Sequence, residues 1–278
     1  MIAALAALAL LQCGGSQVAS VPLASQVFGN TRAIRIYVPP GYHDDEHRRY
    51  PVLYLNDGFA VFSPRGWNAP ALVDSLVCAG AIRPIILIGI DNAASPPRSA
   101  TPQRDRAAEY LPYRDSVFEP ELITPLGDRY PAFLTLEVMA LVDSVFRTVR
   151  APEGRVVGGS SYGGIAALTA VLRAPGVFGG LLLESTPLHI SSRRLMNDAG
   201  LASSLPEAIY LGSGTAESSD PRIITAAGGT LDAFAAMIAA RFPGTRLRLN
   251  EVEGAQHTSA AWRARLPVAL QFFFGRAP

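Results

Sequence analysis

The chain opens on an unbroken apolar run over residues 2–11 and then turns to alternation. In Ala33-Ile34-Arg35-Ile36-Tyr37-Val38 the apolar and polar positions alternate up to Pro39-Pro40-Gly41, which predicts an antiparallel edge strand closed by a turn. Val52-Leu53-Tyr54-Leu55 and Ile85-Ile86-Leu87-Ile88-Gly89-Ile90 are short continuous apolar runs, as expected of strands in a parallel sheet covered on both faces. Residues 91–130 are rich in Pro, Arg, Asp and Ser and hold no sustained period. A loop of that length inside a compact domain is usually functional, so it is expected to cover a site, facing Phe59, Phe62 and Trp67. Over residues 133–149, Leu134, Val138, Met139, Leu141, Val142, Val145 and Phe146 recur at helical spacing. Strands are then expected around Val156-Val157, Leu181-Leu182-Leu183, Ala208-Ile209-Tyr210-Leu211 and the alternating Leu247, Leu249 and Val252. Helices are expected over 165–173, 231–242 and 260–274. The alternation predicts an α/β fold, with a mostly parallel central sheet, helices on both faces and antiparallel N-terminal edge strands. Neither repeat nor linker interrupts residues 16–278, which read as one domain.

Composition narrows the function. Of 278 residues, 49% are hydrophobic and 17% charged, which suits a soluble globular core. A net charge of +1 gives no electrostatic footprint for nucleic acid or an anionic membrane. Every basic residue other than histidine is arginine, so a Schiff-base lysine, a P-loop lysine and a Ser-Lys dyad are all excluded. The two cysteines, Cys13 and Cys78, are too few for a disulfide framework or a structural zinc site. Cys78 reads as a small apolar side chain buried at a helix end. The initial apolar run is too short to span a bilayer and fits the core of a signal peptide. Leu10-Leu11-Gln12-Cys13-Gly14-Gly15 is similar to a bacterial lipoprotein signal, which makes Cys13 a candidate lipid attachment point. Residues 1–15 are therefore expected to direct export, to the periplasm or beyond, with membrane anchoring through Cys13 as the alternative.

The strongest chemical signal is Gly159-Ser160-Ser161-Tyr162-Gly163, a G-x-S-x-G between a predicted strand and a predicted helix. That context predicts a nucleophile elbow, a sharp turn that exposes the Ser161 hydroxyl next to helix N-terminal N–H groups. In this arrangement the acid and the histidine follow the serine in the chain. His43 and His47 come too early, and His189 leaves little chain for an acid before it. His257, in the loop between the last strand and the last helix, is the expected base. Glu217 in the loop after Leu211 is the first choice of acid, with Asp220 and Glu184 as alternatives. The Tyr162 N–H and, from Asn56-Asp57-Gly58-Phe59, the Phe59 N–H are the expected oxyanion donors, Gly58 permitting the approach. His43-Asp44-Asp45-Glu46-His47 fits an H-x-x-E-H zinc pattern, yet it lies in a short polar link flanked by prolines and reads as a solvated loop.

With these residues in place the chain resembles the esterase family of the α/β-hydrolases that includes esterase D (S-formylglutathione hydrolase), siderophore esterases, feruloyl esterases and mycolyltransferases. The resemblance runs from about Phe28 to the C-terminus. It rests on Ile36-Tyr37-Val38-Pro39-Pro40-Gly41-Tyr42, Tyr50-Pro51-Val52-Leu53-Tyr54-Leu55-Asn56-Asp57-Gly58, Ile90-Asp91-Asn92, Arg106-Ala107-Ala108-Glu109-Tyr110 and Val157-Gly158-Gly159-Ser160-Ser161-Tyr162-Gly163-Gly164. It implies a serine esterase with Ser161 as nucleophile, His257 as base and Glu217 as acid, an acyl-enzyme intermediate, a small-molecule ester substrate and no metal or organic cofactor. Acyl transfer to an alcohol or sugar, and an inactive surface binding protein on the same fold, are the alternatives. Tyr162 stands where the family usually has Leu or Met, at the wall of the acyl pocket.

Overall fold

The computed structural model describes residues 14–94, 101–115 and 123–276. Two antiparallel strands come first, β1 (Gln17–Ser25) and β2 (Asn30–Val38). Then follow β3 (Val52–Asn56), α1 (Gly58–Phe62), α2 (Ala69–Cys78), β4 (Ile86–Ile90) and α3 (Pro102–Tyr110). A short α4 (Tyr130–Ala132) runs through a π-helical stretch, Phe133–Val138, into α5 (Met139–Val145). The second half alternates: β5 (Arg155–Ser160), α6 (Tyr162–Arg173), β6 (Gly180–Glu184), α7 (Ile190–Leu201) and β7 (Ala208–Ala216). It ends on α8 (Pro221–Ala227), α9 (Thr230–Arg241), β8 (Arg246–Gln256) and α10 (Ser259–Phe274).

All eight strands join one sheet in the order β1-β2-β4-β3-β5-β6-β7-β8. β2 pairs antiparallel with both β1 and β4, and every other neighbouring pair is parallel. This is the α/β-hydrolase architecture expected from the sequence. β3, β4 and β6 are buried at every position, which is why they read as continuous apolar runs rather than as alternation. Side chains leave each strand to opposite faces, so the sheet carries two cores. Val52, Tyr54, Val157 and Leu183 meet α6 and its neighbours on one face. Leu53, Leu55, Val156 and Leu182 meet α2 and α10 on the other.

The structure departs from the sequence reading at several elements. β1 is a largely exposed edge strand with no apolar run to announce it. Residues 102–110, expected as irregular, form α3, a polar helix that buries Ala107, Glu109 and Tyr110. The helix expected over 133–149 starts three residues earlier and stops at Val145, where Phe146 turns extended. Trp67 is 1% exposed within the α2–α10 core, so it is core rather than site wall. Cys78 is half-buried rather than a buried apolar filler. Residues 43–49 are exposed turns and bends, as a solvated link requires. Cys13 and most of the expected export signal, residues 1–13, lie outside the described residues, as do 95–100 and 116–122 of the expected covering loop.

Candidate active site

Five groups come together at the carboxyl end of the sheet, and each is the first residue past a strand. Asp57 follows β3, Ser161 β5, Ser185 β6, Glu217 β7 and His257 β8. Parallel strands end on one edge, so chain positions far apart arrive side by side, and such edges are where open α/β sheets place their ligands.

At Ser161 the backbone reverses from strand to helix with φ 54° and ψ −130°, a conformation L-residues rarely adopt. Neighbouring backbone crowds the turn. A Cβ on Gly159 would sit 2.7 Å from the Gly163 carbonyl carbon, and one on Gly163 would sit 2.9 Å from Asp57 Oδ2. The two outer glycines of the motif are thus dictated by packing as much as by chain flexibility. The Ser161 N–H donates to the Glu184 carbonyl at 2.9 Å, tying the elbow to the end of β6.

His257 Nδ1 lies 2.7 Å from Glu217 Oε2. Glu217 Oε1 accepts from the Ser185 hydroxyl at 2.6 Å and from the Gly214 N–H at 2.7 Å. Burial alone would raise the Glu217 pKa, but the hydrogen bonds from His257, Ser185 and Gly214 outweigh it and hold the carboxyl below its ordinary value. The other two carboxylates weighed as acids are engaged elsewhere. Asp220 caps α8, accepting from the Arg222 N–H at 2.9 Å and pairing with its guanidinium at 2.6 Å. Glu184 is 1% exposed and pairs with the equally buried Arg265 at 2.7 Å. The imidazole of His257 also meets the Trp262 ring edge-on, with centroids 5.1 Å apart.

On the other side of Ser161, Asp57 is held in the left-handed region with φ 61°. Its carboxylate accepts from Arg106 at 2.8 and 2.7 Å and from Asn92 Nδ2 at 2.7 Å. Arg106 also donates to the Ser160 carbonyl at 3.3 Å, and Asn56 Nδ2 to the Gly163 carbonyl at 2.7 Å. This cluster fixes the loop bearing Gly58 and Phe59 against the elbow. Phe59 lies in the first turn of α1 and Tyr162 in the first turn of α6, where N–H groups have no partner within their helix. Arg106 is therefore structural, while Arg104 and Arg114 are exposed.

Ser161, Tyr162, Glu217 and His257 face one cavity of about 300 Å³. Its remaining wall is mainly apolar, with Leu188, Ile190, Ile223, Ala227 and Leu231, and no arginine among the described residues lines it. His189, set aside from sequence as the base, is on this wall, and burial lowers its pKa. Phe59, half exposed beneath the Arg35 guanidinium, is not on it. Sequence reasoning missed Ser185, Trp262 and Arg265. No local motif marks them; the available signal was that Ser185 follows a strand as Ser161 and Glu217 do.

Residues 25–273 match the profile of the family described as Putative esterase. Among solved structures, the siderophore hydrolase EstB from Aspergillus nidulans superposes with a TM-score of 0.73 at 17% identity, over 97% of this chain and 99% of that one. The enterobactin esterase FES from Shigella flexneri, solved in the presence of enterobactin, gives 0.71 at 22% identity over 94% of this chain and 60% of that one. At these identities the likeness is one of fold. A curated relative, the uncharacterized protein YbbA of Bacillus subtilis (strain 168), is 26% identical over 153 residues. That match spans 54% of each chain, about half the length of the relative.

Proposed function

This chain belongs to the Putative esterase family, and from that premise we propose that it hydrolyses carboxylic esters through an acyl-enzyme at Ser161, with His257 as base and Glu217 as acid. The observation that carries the reading is the 2.7 Å contact of His257 Nδ1 with Glu217, on the cavity that Ser161 also faces from its strained turn. With Nδ1–H donated to Glu217, Nε2 is left as the proton acceptor. Ser161 Oγ attacks the ester carbonyl carbon as its proton passes to Nε2. The carbonyl oxygen becomes an oxyanion, met by the N–H groups of Phe59 and Tyr162. Collapse breaks the bond to the alcohol oxygen, which leaves with the proton from Nε2. Water then repeats the attack on the acyl-enzyme and frees the acid and Ser161.

The wall of Leu188, Ile190, Ile223, Ala227 and Leu231 supports a substrate bearing an uncharged, largely hydrocarbon group, since no arginine among the described residues lines it to pair with an anion. A panel of p-nitrophenyl esters tests both levels. Turnover with a burst of nitrophenol is expected, with neutral acyl groups preferred over hemisuccinate, and His257→Ala should abolish it. No turnover across the panel refutes the reaction class. Release of new esters in place of acid when alcohols are added would favour acyl transfer.

The same reading takes the protein to be exported. The apolar run over residues 2–11, followed by Gln12-Cys13-Gly14-Gly15, supports it. Intact mass of soluble and membrane fractions tests it: loss of the N-terminal segment supports export, a diacylglyceryl adduct on Cys13 supports the anchor, and an unprocessed Met1 in the cytoplasm refutes export.

A further inference from the structure

We propose that Ser185 is a positioning residue for the triad acid, its hydroxyl hydrogen directed onto Glu217 by the indole of Trp262 and the guanidinium of Arg265. The inference rests on the reading of Glu217 and His257 as acid and base.

The proton positions follow from what each partner is able to do. Trp262 Nε1 lies 2.8 Å from Ser185 Oγ, and Arg265 Nη2 lies 3.1 Å from it. An indole N–H and a guanidinium only donate, so both occupy lone pairs of the hydroxyl and neither accepts from it. The one remaining partner is Glu217 Oε1 at 2.6 Å, and the hydroxyl hydrogen goes there. Oε1 also receives the Gly214 N–H, so it carries two donors and no proton of its own. Glu217 is thereby held as a carboxylate with Oε2 turned to His257 Nδ1, which must then be the protonated nitrogen. Serine is a hinge in this chain because it both donates and accepts; alanine or glycine would break it.

The surroundings fit that role. Ser185 occupies φ 46°, a strained position for a non-glycine residue, and it is 7% exposed. Its donors come from one face of α10, three residues apart, so a single helix presents both. Arg265 is paired beneath the site with Glu184, with Nε at 2.8 Å and Nη2 at 2.7 Å from the same carboxyl oxygen. Its nearest approach to Glu217 is 4.0 Å, so the serine hydroxyl bridges the two. Trp262 also packs against the His257 ring at 87°, so it meets the base directly and the acid through Ser185.

The test compares Ser185→Gly and Ser185→Ala with wild type, rates being normalised to active sites titrated with a fluorophosphonate. Glycine suits the positive φ, so that variant removes the hydroxyl without backbone strain. Both are expected to lower kcat by roughly tenfold to a hundredfold with KM within about twofold, as loss of one hydrogen bond to a charged group predicts. The acid limb of kcat/KM should also move to higher pH and steepen, because Glu217 then takes up a proton more readily. Ser185→Cys, which restores a weak donor, should recover part of kcat. A merely structural serine would reduce the titratable sites and leave the limb in place. Ser185→Gly with kcat within about threefold of wild type and an unmoved limb overturns the proposal. Glu217→Gln run beside it separates the failures. If Glu217→Gln is disabling while Ser185→Gly is not, Ser185 alone is misassigned; if Glu217→Gln is harmless, the triad reading falls as well.

Discussion

Three carboxylates follow Ser161 near strand ends, and their surroundings assign them different work. Glu217 is half-buried and turned to an imidazole; Asp220 closes a helix; Glu184 is sealed against an arginine. Glu217→Gln should therefore lower kcat by roughly 10²- to 10⁴-fold with KM little changed, by analogy with other triads. Asp220→Asn should cost under about tenfold, since asparagine also caps a helix. Steady-state kinetics with circular dichroism as a folding check decides the matter. A larger loss from Asp220→Asn would move the acid. Ser161, Glu217 and His257 were legible because each sits in a short sequence whose strand-turn context limits what it does. Ser185, Trp262 and Arg265 were not. Their meaning lies in hydrogen bonds between residues about 80 positions apart, and nothing local in Glu184-Ser185-Thr186 or Trp262-Arg263-Ala264-Arg265 announces a partner.

Among the elements, α10 does most to set the site from behind, and its buried ion pair has a pH consequence. Burial pushes Glu184 up to about 7, more than Arg265 brings it down. A carboxyl raised above its ordinary 4.5 binds a proton in the folded chain that the unfolded chain releases. Its contribution to stability is full below about pH 4.5 and is lost as pH rises through 7. Replacing both partners by uncharged groups, Glu184→Gln with Arg265→Met, removes that dependence without stranding a charge. Between pH 4.5 and 7.5, wild-type unfolding free energy from urea titration should fall relative to the double variant; a difference that is flat or rises contradicts the burial argument. Two causes, low burial and a broken backbone, hide the elements that escaped sequence reading. α3 is polar and buries few side chains, α8 buries none, and three successive residues of α7, Ser191, Ser192 and Arg193, have positive φ. β1 lies on the exposed edge. The period of hydrophobic positions reports burial, so elements with little of it stay silent. The strands β3, β4 and β6, packed on two faces, were read to within a residue at each end, whereas β5 and β7 run on by three and five residues beyond the apolar stretch that announced them.

At the scale of the whole molecule, chain order and sheet order combine to deliver the site. Strands neighbouring β5 bring Asp57 and Ser185 to either side of Ser161, and β7 and β8 add Glu217 and His257 in sequence along the same edge. The apolar cavity opens on that edge between α7, α8 and α9, which supports a preference for uncharged esters. The claim on which all else depends is that Ser161 is an activated nucleophile, and a fluorophosphonate probe tests it directly. Incubation of the intact protein followed by peptide mass spectrometry should place one phosphonyl adduct on Ser161, with none on Ser161→Ala and much slower labelling of His257→Ala. Undiminished labelling of Ser161→Ala, or an adduct on another residue of the wild type, would contradict the account.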